Sequence, residues 1–355
     1  MPSWRFITTV ALSLFLIPVL FSLRSATAAS RTTPIPSTSA SVEADVPPGV
    51  ADETRALAKG LLEPAASPEW TAPFGVRFQD ESTNLPVMAL FAMPGEAVAI
   101  EAVPGESGGP FRLSADGGTL DAAGEGRWTW SAPRAAGLYP LVLTDAAGRS
   151  IRLQAFVMVP YAGESELNGY AVGQYQAKPL HGRPVYERPQ GLVEIRPELL
   201  DQPVSPHFQL GQFLCKQAGP FPKYLLLRTR LLVKLELLLD EVQAEGIDAS
   251  TFTIMSGFRT PRYNAAIGNT TIYSRHSYGD AADIFIDEDG DGLMDDLDGD
   301  HRSTLADARV LGQIVDRLEA SPTYEPFIGG LGLYGAKPNH GPFVHVDTRG
   351  FTARW

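Results

Sequence analysis

The sequence predicts an α+β fold: a domain of mixed helices and strands built on an antiparallel sheet, preceded by a smaller all-β, sandwich-like domain. Three observations predict it. Within residues 72–160, short β-type runs recur at regular spacing, separated by Gly, Pro and Asp clusters. Residues 224–245 then carry Leu227, Leu231, Leu232, Leu235, Leu238, Leu239 and Val242 at helical intervals. A second helical stretch, 305–320, alternates with strand-like segments at 252–255, 282–287 and 343–347, and helices mixed with strands in this order imply α+β.

At 355 residues the chain is long enough for two domains. Residues 1–28 read as an export signal. Arg5 supplies a short positive region, Phe6 to Leu23 is nearly continuously apolar, and Ala26-Thr27-Ala28 offers a small-residue cleavage site. An uncleaved membrane anchor stays open as the alternative, because the apolar run approaches spanning length. Either way the remaining chain is exported to the periplasm or cell envelope, with transient membrane contact through the signal segment. Residues 29–68, rich in Ser, Thr, Pro and Ala, read as a disordered linker.

The β-domain covers 69–160, with strands expected at 87–91, 97–103, 126–130, 139–144 and 151–157. It shows no catalytic cluster, so wall or partner binding and a spacer role both stay open. A Pro-rich connection, 161–204, carries no chemistry. In the domain at 205–355, the leucines of the first helix are core positions, since the pattern is too short for a coiled coil. The single Cys215 rules out an intramolecular disulfide framework and a multi-cysteine zinc site, and reads as a small buried hydrophobe. A net charge of −12 argues against nucleic acid as a partner, which needs a basic surface.

Metal chemistry is signalled by His276 and Asp283 in Ser274-Arg275-His276-Ser277-Tyr278-Gly279-Asp280-Ala281-Ala282-Asp283, together with His345. Imidazole nitrogen and carboxylate oxygen suit Zn²⁺, and a catalytic zinc takes three protein groups plus a water. The spacing suits a turn leading into a strand. The alternating segments around Asp283 and His345 would hold both ligands on neighbouring strands.

Ser274-x-His276-x-x-Gly279-x-Ala281-x-Asp283, preceded by Ser256-Gly257-Phe258-Arg259 and followed by Phe343-Val344-His345-Val346-Asp347, resembles the D-Ala-D-Ala metallopeptidase superfamily. That superfamily includes zinc D,D-carboxypeptidases, murein endopeptidases and the Hedgehog signalling domain. The closing segment, with Arg349 and Ala353-Arg354-Trp355, is most similar to the murein endopeptidase branch. The resemblance covers residues 190–355. It implies a Hedgehog/D,D-peptidase-like zinc domain that hydrolyses peptidoglycan peptides at stems or cross-links. It also implies that Arg259 stabilises the developing oxyanion, that Ser274 and Tyr278 touch substrate, and that Ser274 and Gly279 shape the turn.

The general base departs from the pattern. Many members carry an acid three places before the last histidine, and Pro342 stands there; some carry a histidine two places before it, where Phe343 stands. The remaining candidates are His340, whose intrinsic pKa suits a base, and Asp347, as a base or as a partner orienting a ligand histidine. The departure keeps a second function open: a zinc-containing peptidoglycan-binding scaffold that does not cleave.

An acidic insertion, 287–307, follows the Asp283 strand. Asp287, Asp289, Asp291, Asp295 and Asp298 with Gly292 fit the places of a calcium loop, and so many carboxylates together repel one another unless a cation intervenes. An overlapping frame of Asp296, Asp298, Asp300 and Asp307 resembles a dockerin-type loop, with His301 in place of the glycine. Both frames claim Asp298. A calcium-dependent interaction module is therefore a third, weaker function.

Overall fold

The computed structural model describes residues 71–106 and 108–355. The expected signal segment and linker lie outside the described residues. No helix among the described residues is long and apolar enough to cross a membrane.

The first ten strands build two facing sheets. They are β1 (Gly75–Phe78), β2 (Glu81–Thr83), β3 (Val87–Ala92), β4 (Ala97–Val103), β5 (Arg112–Ala115), β6 (Thr119–Gly124), β7 (Arg127–Ser131), β8 (Gly137–Leu138), β9 (Leu141–Thr144) and β10 (Ser150–Val157). One sheet runs β2-β1-β4-β7-β6 and the other β3-β10-β9-β5, with β8 beside β10. Period-two burial places them: in β4, Val98, Ile100 and Ala102 are buried while Ala97 and Ala99 face water. Strands β1, β2, β5, β6 and β8 are additions to the sequence reading. In β6 every side chain but Leu120 is exposed, so no apolar alternation marks it.

Strand β10 breaks the alternation, being buried continuously from Leu153 to Val157. Sheet faces covered on both sides lose the inside–outside rhythm, and the neighbouring β3 is packed on by the following half of the chain. In that half, helix α1 (Thr229–Ala244) docks on the sandwich: Thr229 Oγ1 donates to the Ala89 carbonyl at 2.9 Å, and Arg230 pairs with Glu81 at 2.9 Å. The apolar core is continuous from Phe74 to Val346, and the described residues belong to one compact unit. The boundary expected near residue 160 is thus a change of topology without a gap in packing.

Short strands β11 (Val159–Pro160), β12 (Glu166–Leu167), β13 (Tyr170–Ala171), β14 (Gly191–Ile195), β15 (Pro203–Ser205), β16 (Phe208–Gln209) and β17 (Lys223–Leu225) lead up to α1. The helix starts at Thr229 because residues 223–225 pair with β14 instead. Next come β18 (Thr253–Ser256), α2 (Pro261–Ala266), β19 (Ala281–Phe285), α3 (Leu305–Glu319), β20 (Gly330–Tyr334), β21 (Phe343–Asp347) and β22 (Ala353–Arg354). Thr304 and Asp307 close a reciprocal cap on α3. The last five strands form one sheet, β18-β19-β21-β20-β22, antiparallel apart from the β20–β22 pair. The whole is α+β, with mostly antiparallel sheets.

One face of this last sheet carries Leu331, Leu333, Val344 and Val346, and meets α3, where Gly312 leaves room for Leu333. The other face carries Ser256, Asp283, His345 and Asp347. Hydrophobic packing on one side therefore fixes where the polar side chains stand on the other.

Candidate metal centre

Strand register lines up the candidate ligands. Asp283 lies directly opposite His345 across the β19–β21 pair, Ser256 lies opposite Asp283 on β18, and Gly332 lies opposite His345 on β20. A single row thus crosses the sheet: Ser256, Asp283, His345, Gly332. His276 reaches this row from the 3₁₀ turn Arg275–Tyr278, which the left-handed Gly279 (φ 73°) ends. A Cβ at Gly279 would sit 2.6 Å from the Leu226 carbonyl oxygen, so both the backbone twist and the close approach require glycine. The loop is locked by Arg275, whose Nε donates to Asp280 Oδ1 at 2.9 Å and whose Nη1 donates to the Val185 carbonyl at 3.0 Å.

Three atoms converge. His345 Nδ1 is 2.9 Å from Asp283 Oδ1, His276 Nε2 is 3.1 Å from His345 Nδ1, and His276 Nε2 is 3.2 Å from Asp283 Oδ1. Ligand atoms about a tetrahedral ion with ~2.1 Å bonds stand ~3.4 Å apart, so the triangle is close to one that an ion would span. Each outer atom is already held. His276 Nδ1 donates to the Gly257 carbonyl at 2.7 Å, His345 Nε2 donates to Asp347 Oδ2 at 3.1 Å, and Asp283 Oδ2 accepts from Arg259 Nη2. Carbonyl and carboxylate only accept, which puts a proton on each outer nitrogen; the inner His345 Nδ1 also faces a carboxylate, Asp283, and must give up the proton it shares there before its lone pair can meet a cation.

Electrostatics treat the two histidines differently. All three side chains are buried. Burial holds His276 below the usual histidine pKa. Burial also opposes charge on His345, but Asp283 and Asp347 on either side of its ring outweigh it and raise the pKa to about 8. Burial would raise Asp283 too; His276, His345 and Arg259 overcome it and hold the carboxyl well below its ordinary range. The buried carboxylates are compensated by Arg259, Arg349 and a protonated His345, and a cation among the inner atoms would take the place of that last charge.

The other candidates are placed differently. Asp347 lies behind His345, its Oδ1 accepting from Gly330 N (2.8 Å) and Arg349 N (3.0 Å), so it stands as an orienting partner and not as a base. Arg259 donates through Nε to Ser256 Oγ (2.7 Å) and through Nη2 to Asp283, leaving Nη1 without a partner among the described residues. His340 is not brought to the triangle: its Nδ1 donates to the Gly341 carbonyl at 2.7 Å and its ring stands edge-on to Phe343 at 5.0 Å. Tyr278 corrects the reading of a substrate contact. It is 1% exposed, 5.6 Å from both Tyr175 and Tyr186, inside the aromatic support of the turn. Ser274 is buried as well and opens the turn, accepting from Ser277 N at 3.0 Å.

The acidic insertion divides into two clusters. Asp287, Asp289 and Asp291 bring oxygens together, and so do Asp296, Asp298 and Asp307. Asp298 belongs to the second cluster, which corrects its assignment to the first loop, because Asp298 N and Asp298 itself are drawn toward the buried Asp307 at the start of α3. Asp295 closes the first loop by accepting from Glu288 N at 2.9 Å. The described residues thus offer one histidine-containing group and two acidic groups that could hold a cation.

Sequence reasoning missed four contributors. Lys216 is exposed, on a segment tied to Phe258 by the Phe258 N to Phe213 O bond (2.9 Å). The chain packed around its ammonium nevertheless pushes its pKa down, Arg259 adds repulsion, and Asp283 opposes both. Lys234 lies fully buried on the apolar face of α1, donating to the carbonyls of Asp347 (2.8 Å) and Phe327 (3.0 Å). A lone lysine in step with the leucines was its signal. Gly332 and Trp355 complete the His345 side of the row; alternate glycines in Gly330-Leu331-Gly332 signal a close approach on one face.

No known family model matches the chain, and no curated protein matches it. Among solved structures, it is similar to the Bacteroides ovatus mixed-linkage glucan utilization locus protein SGBP-B in complex with a mixed-linkage heptasaccharide, with 13% identity and a TM-score of 0.14. That likeness covers 24% of this chain and 27% of the other, and carries no argument about function.

Proposed function

We propose that the chain is an exported zinc metallopeptidase that hydrolyses peptide bonds in peptidoglycan stems or cross-links, with endopeptidase action favoured over release of a terminal D-alanine. One observation carries this reading: His276 Nε2, Asp283 Oδ1 and His345 Nδ1 converge within 3.2 Å while every outer atom of the three side chains is engaged elsewhere. Two imidazoles and one carboxylate are a donor set that suits Zn²⁺. The chemistry a Zn²⁺ supplies in such a site is Lewis acidity toward a carbonyl and a water acidified toward pKa ~7. The peptidoglycan substrate and the Hedgehog/D,D-peptidase-like fold rest on the motif resemblance, and export on the N-terminal segment.

The chain's own residues divide the remaining work. Arg259 holds Asp283 through Nη2 and offers Nη1 to negative charge developing on a substrate oxygen. Lys216 adds a second cation near Arg259 and Asp283. Asp347 keeps the proton of His345 on Nε2, so that Nδ1 stays a ligand. The proton acceptor is the unfilled role. Pro342 and Phe343 have no ionisable atom, Asp347 is engaged, and His340 Nε2 is the basic atom left without a partner among the described residues.

That vacancy favours a second reading, a zinc-containing peptidoglycan-binding scaffold. Digestion of purified peptidoglycan, read by mass spectrometry beside a His276→Ala control, decides between them. Loss of cross-linked dimers only with the intact site supports the endopeptidase, and loss of one alanine a carboxypeptidase. Muropeptide binding without products, with zinc verified as bound, supports the scaffold.

Structural Ca²⁺ is proposed for the acidic insertion. Asp287 Oδ1 is buried with no hydrogen-bond partner, and its cluster-mates Asp289 and Asp291 supply further oxygens, as a calcium loop requires. Calcium at ~100 Kd should stabilise the wild type by about 2.7 kcal/mol and leave Asp287→Ala unchanged, read from thermal unfolding.

A further inference from the structure

We propose that Trp355 is a positioning residue for the metal centre, acting through His345 and through the Arg349–Asp347 pair behind it; the inference rests on the metal reading of the triangle. Its basis is the glycine opposite His345. A side chain on Gly332 would stand next to His345 on the polar face, and the indole takes that space instead. A Cβ built there would lie 2.5 Å from Trp355 Nε1 and 2.7 Å from Cε2. Gly330, two residues earlier on the same face, leaves room for the Asp347 carboxylate, the Arg349 guanidinium and Trp355 Cη2.

The indole is held at its edge and through its backbone. Nε1 donates to Tyr334 Oη at 2.5 Å, Trp355 N donates to the Leu331 carbonyl at 3.3 Å, and the Trp355 carbonyl accepts from Leu333 N at 3.1 Å. Tyr334 in turn stacks on Phe343 at 4.5 Å with an 8° interplanar angle. So anchored, the indole lies 5.2 Å from the His345 ring, and the Arg349 guanidinium sits 5.1 Å over the indole ring. One aromatic ring therefore packs against a ligand and against the cation that clamps that ligand's carboxylate partner.

Trp355 is 50% exposed, so it is not a core residue whose burial drives folding. What it covers is the metal-ligand chain. Removing it admits water to the Arg349–Asp347 pair and lets the imidazole sample other rotamers, which metal binding must then restrict. Supporting groups of this kind alter metal affinity by about 10–100-fold.

The test is Zn²⁺ affinity by competition with a chromophoric chelator, combined with tryptophan fluorescence, on the full protein. Trp355→Ala and Gly332→Ala should each weaken Zn²⁺ binding about tenfold, and Trp355→Phe, which keeps an aromatic ring, by about threefold or less. Zn²⁺ should change the indole emission of the wild type, and that change should vanish in Trp355→Phe. Because the two alanine variants perturb one contact from opposite sides, a folding defect in one leaves the other to report, with circular dichroism as the check. Zn²⁺ affinity within about twofold of wild type in both variants, while His276→Ala loses binding, overturns the proposal and spares the metal reading. Wild type binding no more Zn²⁺ than His276→Ala overturns both.

Discussion

His345 is the residue at which metal binding and folding pull in opposite directions with pH. Without a metal its pKa is raised from 6.5 to about 8, because the protonated ring is held between Asp283 and Asp347. The pairing therefore stabilises the metal-free fold fully below pH 6.5 and fades as pH rises through about 8. Metal binding has the reverse sign, since the ring must lose that proton to become a ligand. Apparent Zn²⁺ affinity should rise about tenfold per pH unit up to pH ~8 and then level off, measurable by chelator competition across that range. Asp347→Asn removes the charge that orients the ring; it should weaken Zn²⁺ by about 10–100-fold in the same assay, although residue 347 touches no inner atom of the triangle.

At the scale of elements, the turn before β19 decides whether the ligands meet. His276 and Asp283 belong to one short motif, yet they converge only because Gly279 reverses the chain against Leu226 and Arg275 locks the loop to Asp280. Gly279→Ala should destabilise the protein by about 3 kcal/mol through left-handed strain and the clash with the Leu226 carbonyl, measured by urea unfolding. The two helices illustrate what periodicity can and cannot tell. The apolar stripe of α1 was plain, and α3 carries its own cap, but residues 223–225 join β14 because strand pairing there satisfies their backbone groups better than another helical turn.

Across the whole molecule, the sandwich and the half that carries His276, Asp283 and His345 share one core. β10 is buried on both faces along Leu153–Val157, and α1 docks on β3 through Thr229 and on β2 through Glu81. Lys234 extends the same helix to the far side, where its buried ammonium, pushed down to about 8, holds the carbonyl of Asp347. The sandwich therefore supports α1, and α1 supports the end of the ligand strand. A chain lacking residues 71–157 would expose the face of α1 that meets β3, and should fail to give a cooperative unfolding transition, as calorimetry would show.

The sequence by itself determined the local facts: the α+β class, the two long helices, the strand Phe343–Asp347, and His276, Asp283 and His345 as candidate metal ligands. Each is written in the period of neighbouring side chains, or in residue types whose chemistry needs no context. Strands β5 and β6 were not legible, since their exposed faces carry little apolar signal. The places of Tyr278, Lys234 and Trp355 were not legible either, and for Asp347 the sequence left two roles open. Tertiary structure alone decided them, because each depends on a partner more than a helical turn away or on which side of a ring a carboxylate stands. Those relations are set by strand register and by the packing beneath the sheet, and neither is encoded in the spacing of a single segment.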